Sequence, residues 1–134
     1  MPTGQTKDAG WNIGVSKTLP YPVTDVWEFI VSPAGVAHWL GQGAELASGT
    51  PYETSLGVVG EVRSLHDNNR IRLTWRPADW THASTVQVTV SASGNKTILR
   101  FHQERLADAD ERERQRVHWE QVMSAVAQGL DEGQ

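Results

Sequence analysis

The sequence of 134 residues contains no cysteine. Disulfides, thiolate metal sites and a cysteine nucleophile are therefore excluded, and this composition fits a reducing compartment. The sequence also lacks any apolar run near the ~20 residues that a membrane span needs. The polar stretch 1–10 lacks the apolar core of a secretory signal. We therefore expect a cytoplasmic protein that has no membrane span.

Positive charge is also scarce, because 12 Lys and Arg stand against 16 Asp and Glu and give a formal net charge of -4. No segment gathers enough unopposed cations to neutralise a row of phosphates, so we expect no nucleic-acid partner. The glycine patterns of nucleotide-binding loops and the Gly-x-Ser-x-Gly motif of serine hydrolases are absent as well. Nucleotide-dependent chemistry and a serine nucleophile therefore lack support.

The histidines are too scattered for a metal centre. No pair of them has the i, i+4 spacing on a predicted helix, or the close grouping, that a zinc site uses. We therefore expect neither a metal ion nor a cofactor. The five histidines are His38, His66, His82, His102 and His118.

Tryptophan, by contrast, is abundant, with six residues in this short chain. Each indole buries roughly 150–250 Å² and carries one N–H group that needs a partner, so broad aromatic walls are expected. The chain length is typical of one domain with one core. We place this domain at 10–130, with flexible termini at 1–9 and 131–134.

The first third of the chain predicts one strand and two short helices. Apolar and polar residues alternate from Trp11 to Leu19, the period of a half-buried strand. Pro22 suits the first turn of a helix, and the apolar spacing continues to Ile30. Ser32-Pro33 then offers an N-cap followed by proline, and Gly41 ends the second helix.

The middle of the chain, from Ala44 to Leu106, repeats short β-type runs and predicts an antiparallel meander. Apolar and polar side chains alternate from Arg70 to Arg76, so the two faces of this strand differ. Asp and Asn mark the turn at 66–69, and Gly94-Asn95 marks a hairpin turn because both residues tolerate a positive φ. The predicted strands are 58–65, 70–76, 85–91 and 96–106.

The last third predicts one long amphipathic helix. Asp108 is its expected N-cap, with Glu111 as the partner in a capping box. Its apolar stripe has helical spacing and must be covered by the sheet. The stripe contains Trp119, Val122, Met123, Val126 and Leu130. This element order predicts an α+β fold, in which a curved antiparallel sheet of six or seven strands surrounds the C-terminal helix.

Three groups of residues resemble a known family. Val26-Trp27-Glu28, Ser32-Pro33 and His38-Trp39-Leu40-Gly41 look like its opening motif. Gly94-Asn95-Lys96-Thr97-Ile98-Leu99 looks like its Gly-x-x-Thr turn and strand, and His118-Trp119 with Met123 looks like its last helix. The family is that of the activator of heat-shock-protein ATPase homologues, within the START-like, SRPBCC or helix-grip superfamily. The similarity covers about residues 11 to 130.

The resemblance implies a cavity between the sheet and the C-terminal helix. Some members of the superfamily carry lipids or hormones, and others are aromatases or cyclases. The eukaryotic co-chaperone of the family has an additional N-terminal domain, so the resemblance does not imply chaperone stimulation by this chain. We expect a domain that binds a small hydrophobic or aromatic molecule in this cavity.

Seven residues are candidates for contact with the ligand. Two strand positions and one helical stripe converge from opposite sides, a loop lies at the rim, and His118 adjoins the stripe near a cavity mouth. A packed core, or polar surface residues, is the alternative interpretation. The candidates are Trp75, Trp80, His82, Phe101, His118, Trp119 and Met123. Trp27 and Trp39 are assigned to the packing of the short helices.

Two other functions remain open. A polyketide cyclase-like or hydrolase-like enzyme would use His82 or His118 as general acid or base, because histidine titrates near neutral pH. A protein-interaction or co-chaperone-like module, including a homodimer, would use exposed tryptophans as anchors.

Overall fold

The computed structural model describes residues 5–6 and 10–133. These residues form seven strands and three helices, in the order β1 (Gln5–Thr6), β2 (Gly10–Leu19), α1 (Val23–Val31), α2 (Pro33–Trp39), β3 (Pro51–Glu53), β4 (Val59–His66), β5 (Arg70–Trp75), β6 (Ser84–Ser93), β7 (Lys96–Leu106) and α3 (Ala109–Glu132). Among the described residues, no helix combines the length and the apolar character that a membrane crossing requires.

All seven strands belong to one antiparallel sheet with the order β1-β2-β7-β6-β5-β4-β3. Strands β4 to β7 form a meander, and β2 pairs with the last strand, β7. The α+β prediction of a curved antiparallel sheet around a C-terminal helix is confirmed. The short edge strands β1 and β3 were not predicted, because two or three residues are too few to show a period.

The two short helices form at the predicted positions. Val26, Trp27 and Ile30 of α1 are buried, as their helical spacing requires. The Ser32 side chain accepts a hydrogen bond from the Gly35 backbone N–H, which is the N-cap of α2. Trp39 lies in the core, where its Nε1 donates to the Ile30 carbonyl at 2.8 Å.

Helix α3 begins at the predicted cap, because the Asp108 carboxylate accepts a hydrogen bond from the Glu111 backbone N–H at 2.8 Å. The helix packs against β2, β7 and both short helices. All five residues of the predicted apolar stripe are buried: Trp119, Val122, Met123, Val126 and Leu130.

The predicted ends of the domain fall partly on described residues. Gln5–Thr6 pair with Gly10 and Trp11 as β1, and α3 continues through Glu132 into the predicted C-terminal tail. Residues 1–4, 7–9 and 134 lie outside the described residues. The domain limits at 10 and 130 stay a prediction.

Candidate ligand-binding site

Aromatic rings lie in a row between the sheet and α3. Phe101 on β7 and Trp119 on α3 stack with their centroids 5.0 Å apart and their planes at 16°. Both side chains are fully buried. Trp39 approaches Phe101 at 6.4 Å, and Trp75 approaches Trp119 at 6.5 Å. These four rings form the inner part of a continuous aromatic cluster.

The outer part of the cluster lies where the loop after β5 meets α3. Trp80 contacts Trp75 edge-on at 5.3 Å and stacks on the His82 ring at 4.7 Å. From the helix, His118 lies 6.0 Å from Trp75 and 4.8 Å from Trp119. Trp80, His82 and His118 are half-buried, so the cluster runs from the surface to the core. We call this outer part the mouth.

Six of the seven predicted ligand residues therefore belong to one cluster of rings. Met123 lies one helical turn beyond Trp119 on the same stripe and is 4% exposed. The sequence predicted this convergence because alternate strand positions and one helical stripe face a common interior. The predicted alternative, a packed core, also describes the inner rings.

A buried polar network lies beneath the aromatic cluster. The Gln103 Oε1 accepts hydrogen bonds from Trp119 Nε1 at 2.8 Å and from Gln115 Nε2 at 2.9 Å. Gln103 Nε2 donates to the Ser84 hydroxyl, which donates in turn to the Trp75 carbonyl. The network thus joins α3 to β5, β6 and β7 and fixes the orientation of the Trp119 ring.

The mouth also contains a histidine–carboxylate pair. His82 Nε2 lies 2.7 Å from Glu111 Oε1, and the same oxygen accepts a hydrogen bond from the Ala107 backbone N–H. Glu111 is 7% exposed, and its position follows from its place in the first turn of α3. The pair joins the loop after β5 to the beginning of the helix.

Burial changes the titration of one histidine at the mouth. It lowers the pKa of His118, because the surrounding rings displace water from its charged form. The neutral imidazole is therefore favoured, with one nitrogen as donor and the other as acceptor.

The remaining histidines lie away from the mouth. His102 is opposite Gln87 and Gly14 on the outer face of the sheet. Its pKa is lowered mainly by burial and also by the positive charge of Arg100. His66 is exposed at the end of β4, and His38 lies beside the ring of Phe29.

The sequence interpretation missed four polar residues of the site: Ser84, Gln103, Glu111 and Gln115. The signals were present for two of them. Gln103 continues the inward series of Leu99 and Phe101, and Gln115 precedes Trp119 by one helical turn. The sequence pattern predicts only a capping role for Glu111.

The tryptophans do not form an exposed patch. All six are described, and each is buried or half-buried. The interaction-module hypothesis expects exposed indoles as anchors, so this arrangement gives it no support.

The fold and the site together define a START-like, helix-grip domain, in which a curved sheet holds a long C-terminal helix. The family model described as Activator of Hsp90 ATPase homolog 1-like protein matches residues 20–131. The chain therefore belongs to this family. Comparison with curated protein sequences finds no significant match.

Solved structures show the same fold. DynU16, described as a protein in the dynemicin biosynthetic locus, has a TM-score of 0.83 and 22% identity over 92% of this chain and 48% of its own. CalU16 from Micromonospora echinospora has a TM-score of 0.80 and 19% identity over 93% of this chain and 78% of its own. The Aha1 dimer from Colwellia psychrerythraea has a TM-score of 0.73 and 13% identity, and the match covers 89% and 95% of the two chains.

This chain thus spans about half of the DynU16 chain that it matches. At these identities the likeness shows the fold alone.

Proposed function

We propose that this domain binds a small, hydrophobic, aromatic molecule between the sheet and α3, with the mouth as the point of entry. The observation that carries the proposal is the continuous row of rings from half-buried Trp80 to fully buried Phe101. Aromatic rings favour offset-stacked and edge-on partners, which a planar ligand supplies.

The ligand's position follows from the difference between the two ends of the cluster. At the inner end, Phe101 and Trp119 already stack on each other, and Gln103 holds Trp119 in place. At the outer end, the Trp80 ring stacks only on His82 and touches Trp75 edge-on. A planar ligand would therefore enter beside Trp80 and stack on its indole, and it would reach Phe101 and Met123 only after further rearrangement.

The comparisons support a small molecule as the partner. DynU16 is described as a protein of a biosynthetic locus, and biosynthesis of that kind supplies small organic molecules. We also propose that the domain is cytoplasmic. We propose further that it forms a homodimer, since the Aha1 solution structure is a dimer. Affinity would come mainly from apolar burial, at roughly 25 cal/mol per Å² before the costs of association are subtracted.

The six indole N–H groups provide a direct test. Two-dimensional NMR should resolve one indole signal for each tryptophan during titration with planar aromatic, polyketide-like and fatty-acid ligands. We expect saturable shifts at Trp75, Trp80 and Trp119, with no shift at Trp27. A flat response to the whole panel would contradict ligand binding.

Trp80→Ala should lower the affinity for the ligand about tenfold, because the ligand loses one stacking surface. Trp11→Ala is the matched control, since Trp11 is also half-buried but lies on β2, outside the ring cluster. Equal weakening by the two variants would place binding elsewhere.

The His82–Glu111 pair favours a second candidate, a cyclase-like or hydrolase-like enzyme. A buried carboxylate that holds an imidazole orients it for general acid–base work. His82 would transfer the proton, Glu111 would position its ring, and His118 would face the same mouth as a neutral imidazole.

Hydrolysis of aromatic esters tests this candidate. His82→Ala should abolish turnover and Glu111→Gln should reduce it, while both variants still bind the product. His66→Ala is the control, since His66 is exposed at the end of β4. Unchanged turnover in His82→Ala would exclude this mechanism.

A further inference from the structure

A second concave site lies on the outer face of the sheet, which α3 does not cover. This depression of about 420 Å³ is lined by Arg63 of β4, Arg72 of β5 and Arg105 of β7. Thr74 and Thr85, which are opposite each other in the register, contribute to its floor. We call this site the arginine depression.

Two β-bulges bring the arginines together. Val62 pairs with Leu73 and Ser64 with Arg72, so β4 has one extra residue at Arg63. A bulge leaves two residues of one strand opposite a single residue of its neighbour, which redirects a side chain. Arg63 is exposed beside Arg72, whereas Val62 stays in the core.

The second bulge lies on β7. Trp11 pairs with Leu106, and Ile13 pairs with Gln103. Between these two pairs β7 advances by three residues while β2 advances by two, so β7 contains one extra residue. Gln103 and Leu106 both point inward and are buried, which leaves Glu104 and Arg105 together on the outer side. With strict alternation, Arg105 would instead follow Gln103 towards the core.

Arg105 adopts a backbone conformation that side chains other than glycine rarely accept, with φ at 67°. Left-handed residues of this kind persist where the surrounding structure holds them, and they concentrate at functional sites. In this protein the left-handed conformation of Arg105 directs its guanidinium outward, into the depression.

The three arginines of the depression are only partly neutralised by neighbouring carboxylates, so the depression can bind an anion. Arg72 binds Glu104 at 2.8 Å and Gln87 at 3.1 Å, and Arg63 binds Glu61 at 3.1 Å. Among the described residues, Arg105 has no ion pair. Because a guanidinium has several N–H donors in a planar fork, Arg63 and Arg72 keep free donors after these contacts.

We propose that the arginine depression binds the phosphate group of a phosphate monoester. Guanidinium forks match phosphate oxygens in pairs, and three of them from different strands can surround a tetrahedral anion. The threonine hydroxyls add neutral donors at the floor. Ala83 and Ser84, which also line the depression, follow His82 of the mouth in the chain. The two proposals are nevertheless distinguishable, because they are tested with different probes and different variants.

NMR titration at constant ionic strength tests this site with inorganic phosphate, phenyl phosphate and sodium chloride as probes. Phenyl phosphate should give saturable shifts at residues of the depression, and chloride should give none. Phosphatidylcholine vesicles with and without phosphatidic acid form a second arm. Binding to phosphatidic acid would identify a lipid headgroup as the source, and binding only to the soluble ester would identify a free metabolite.

Arg105→Gly is the decisive variant, because glycine accepts the positive φ and the fold is retained while the guanidinium is lost. It should weaken phenyl phosphate binding about tenfold. Arg100→Gln is the matched control on the outer face of the same strand, and it should change the affinity by less than about twofold. No saturable binding, or equal loss in the two variants, would overturn the proposal.

Discussion

Trp119 on α3 donates its indole N–H to the Gln103 side chain on β7 at 2.8 Å, and both side chains are fully buried. Burial of an indole N–H or an amide without a hydrogen-bond partner is unfavourable. Trp119 and Gln103 satisfy each other's hydrogen-bonding groups, so both side chains can be buried in the core. The bond also fixes the Trp119 ring on Phe101. The polar contact and the aromatic stack therefore depend on one another.

Gln103→Leu should lower the free energy of unfolding by about 3 kcal/mol, because Trp119 and Gln115 both lose their acceptor in a buried site. The measurement is urea unfolding followed by tryptophan fluorescence. Gln87→Leu provides the comparison: Gln87 is half-buried on the outer face and loses only the hydrogen bond from partly exposed Arg72, so stability should change by less than about 1 kcal/mol. Similar losses in the two variants would mean that the buried network has no special role.

Asp108→Ala should lower stability by about 1 kcal/mol, because the Glu111 N–H loses its acceptor at the N-terminus of α3. Thermal unfolding monitored by circular dichroism measures this loss. Glu113→Ala, in the next exposed turn, removes a surface ion pair with Arg116 and should have a smaller effect. A smaller effect from Asp108→Ala than from Glu113→Ala would show that the cap is not needed.

The elements that could be predicted are those that local periodicity defines. Strand β2, helix α1 and the stripe of α3 each bury a face that their spacing marks, and the Ser32 and Asp108 caps are local as well. The hydrophobic effect selects the buried face, and the period of two or 3.6 selects the element. The convergence of Trp75 and Trp119 follows from the same reasoning.

The features that could not be predicted depend on long-range register. The bulge at Arg105 lies where β7 shifts register against β2, while its pairing with β6 is regular as far as Glu104, and no local pattern shows this. The bond between His82 and Glu111 joins a loop to a helix 29 positions away. Sequence spacing predicts which residues take part in such a site, but it does not predict which of them are in contact.

Gly35→Ala should destabilise the protein by about 3 kcal/mol, because the contact between α1 and α2 has no room for another carbon. A Cβ atom at this position would lie 1.8 Å from the Phe29 carbonyl oxygen. Gly94→Ala is the contrasting variant: nothing lies within 4 Å of its Cβ, but its φ is +62°. It should lose only about 1 kcal/mol, from the left-handed conformation. Urea unfolding separates the two, and a reversed order would refute the packing argument.

Stability should decrease as the pH falls below the ordinary histidine pKa of 6.5, because burial lowers the pKa of His118 in the folded state. Below pH 6.5 the unfolded chain binds more protons than the folded chain, so the free energy of unfolding decreases as the pH is lowered. The decrease ends once the pH is below the pKa of His118 in the folded state. His118→Gln removes this contribution, while His102, whose pKa is also lowered, keeps its own.

Urea unfolding at about pH 7.5 and about pH 5 should therefore show a smaller decrease for His118→Gln than for the natural chain. His66→Gln should behave like the natural chain, since His66 is exposed. An aromatic ligand bound at the mouth should enlarge the pH dependence, because it removes more water from around His118. Identical decreases in the natural chain and in His118→Gln would mean that His118 charges freely in the folded state, which the ring contacts with Trp75 and Trp119 oppose.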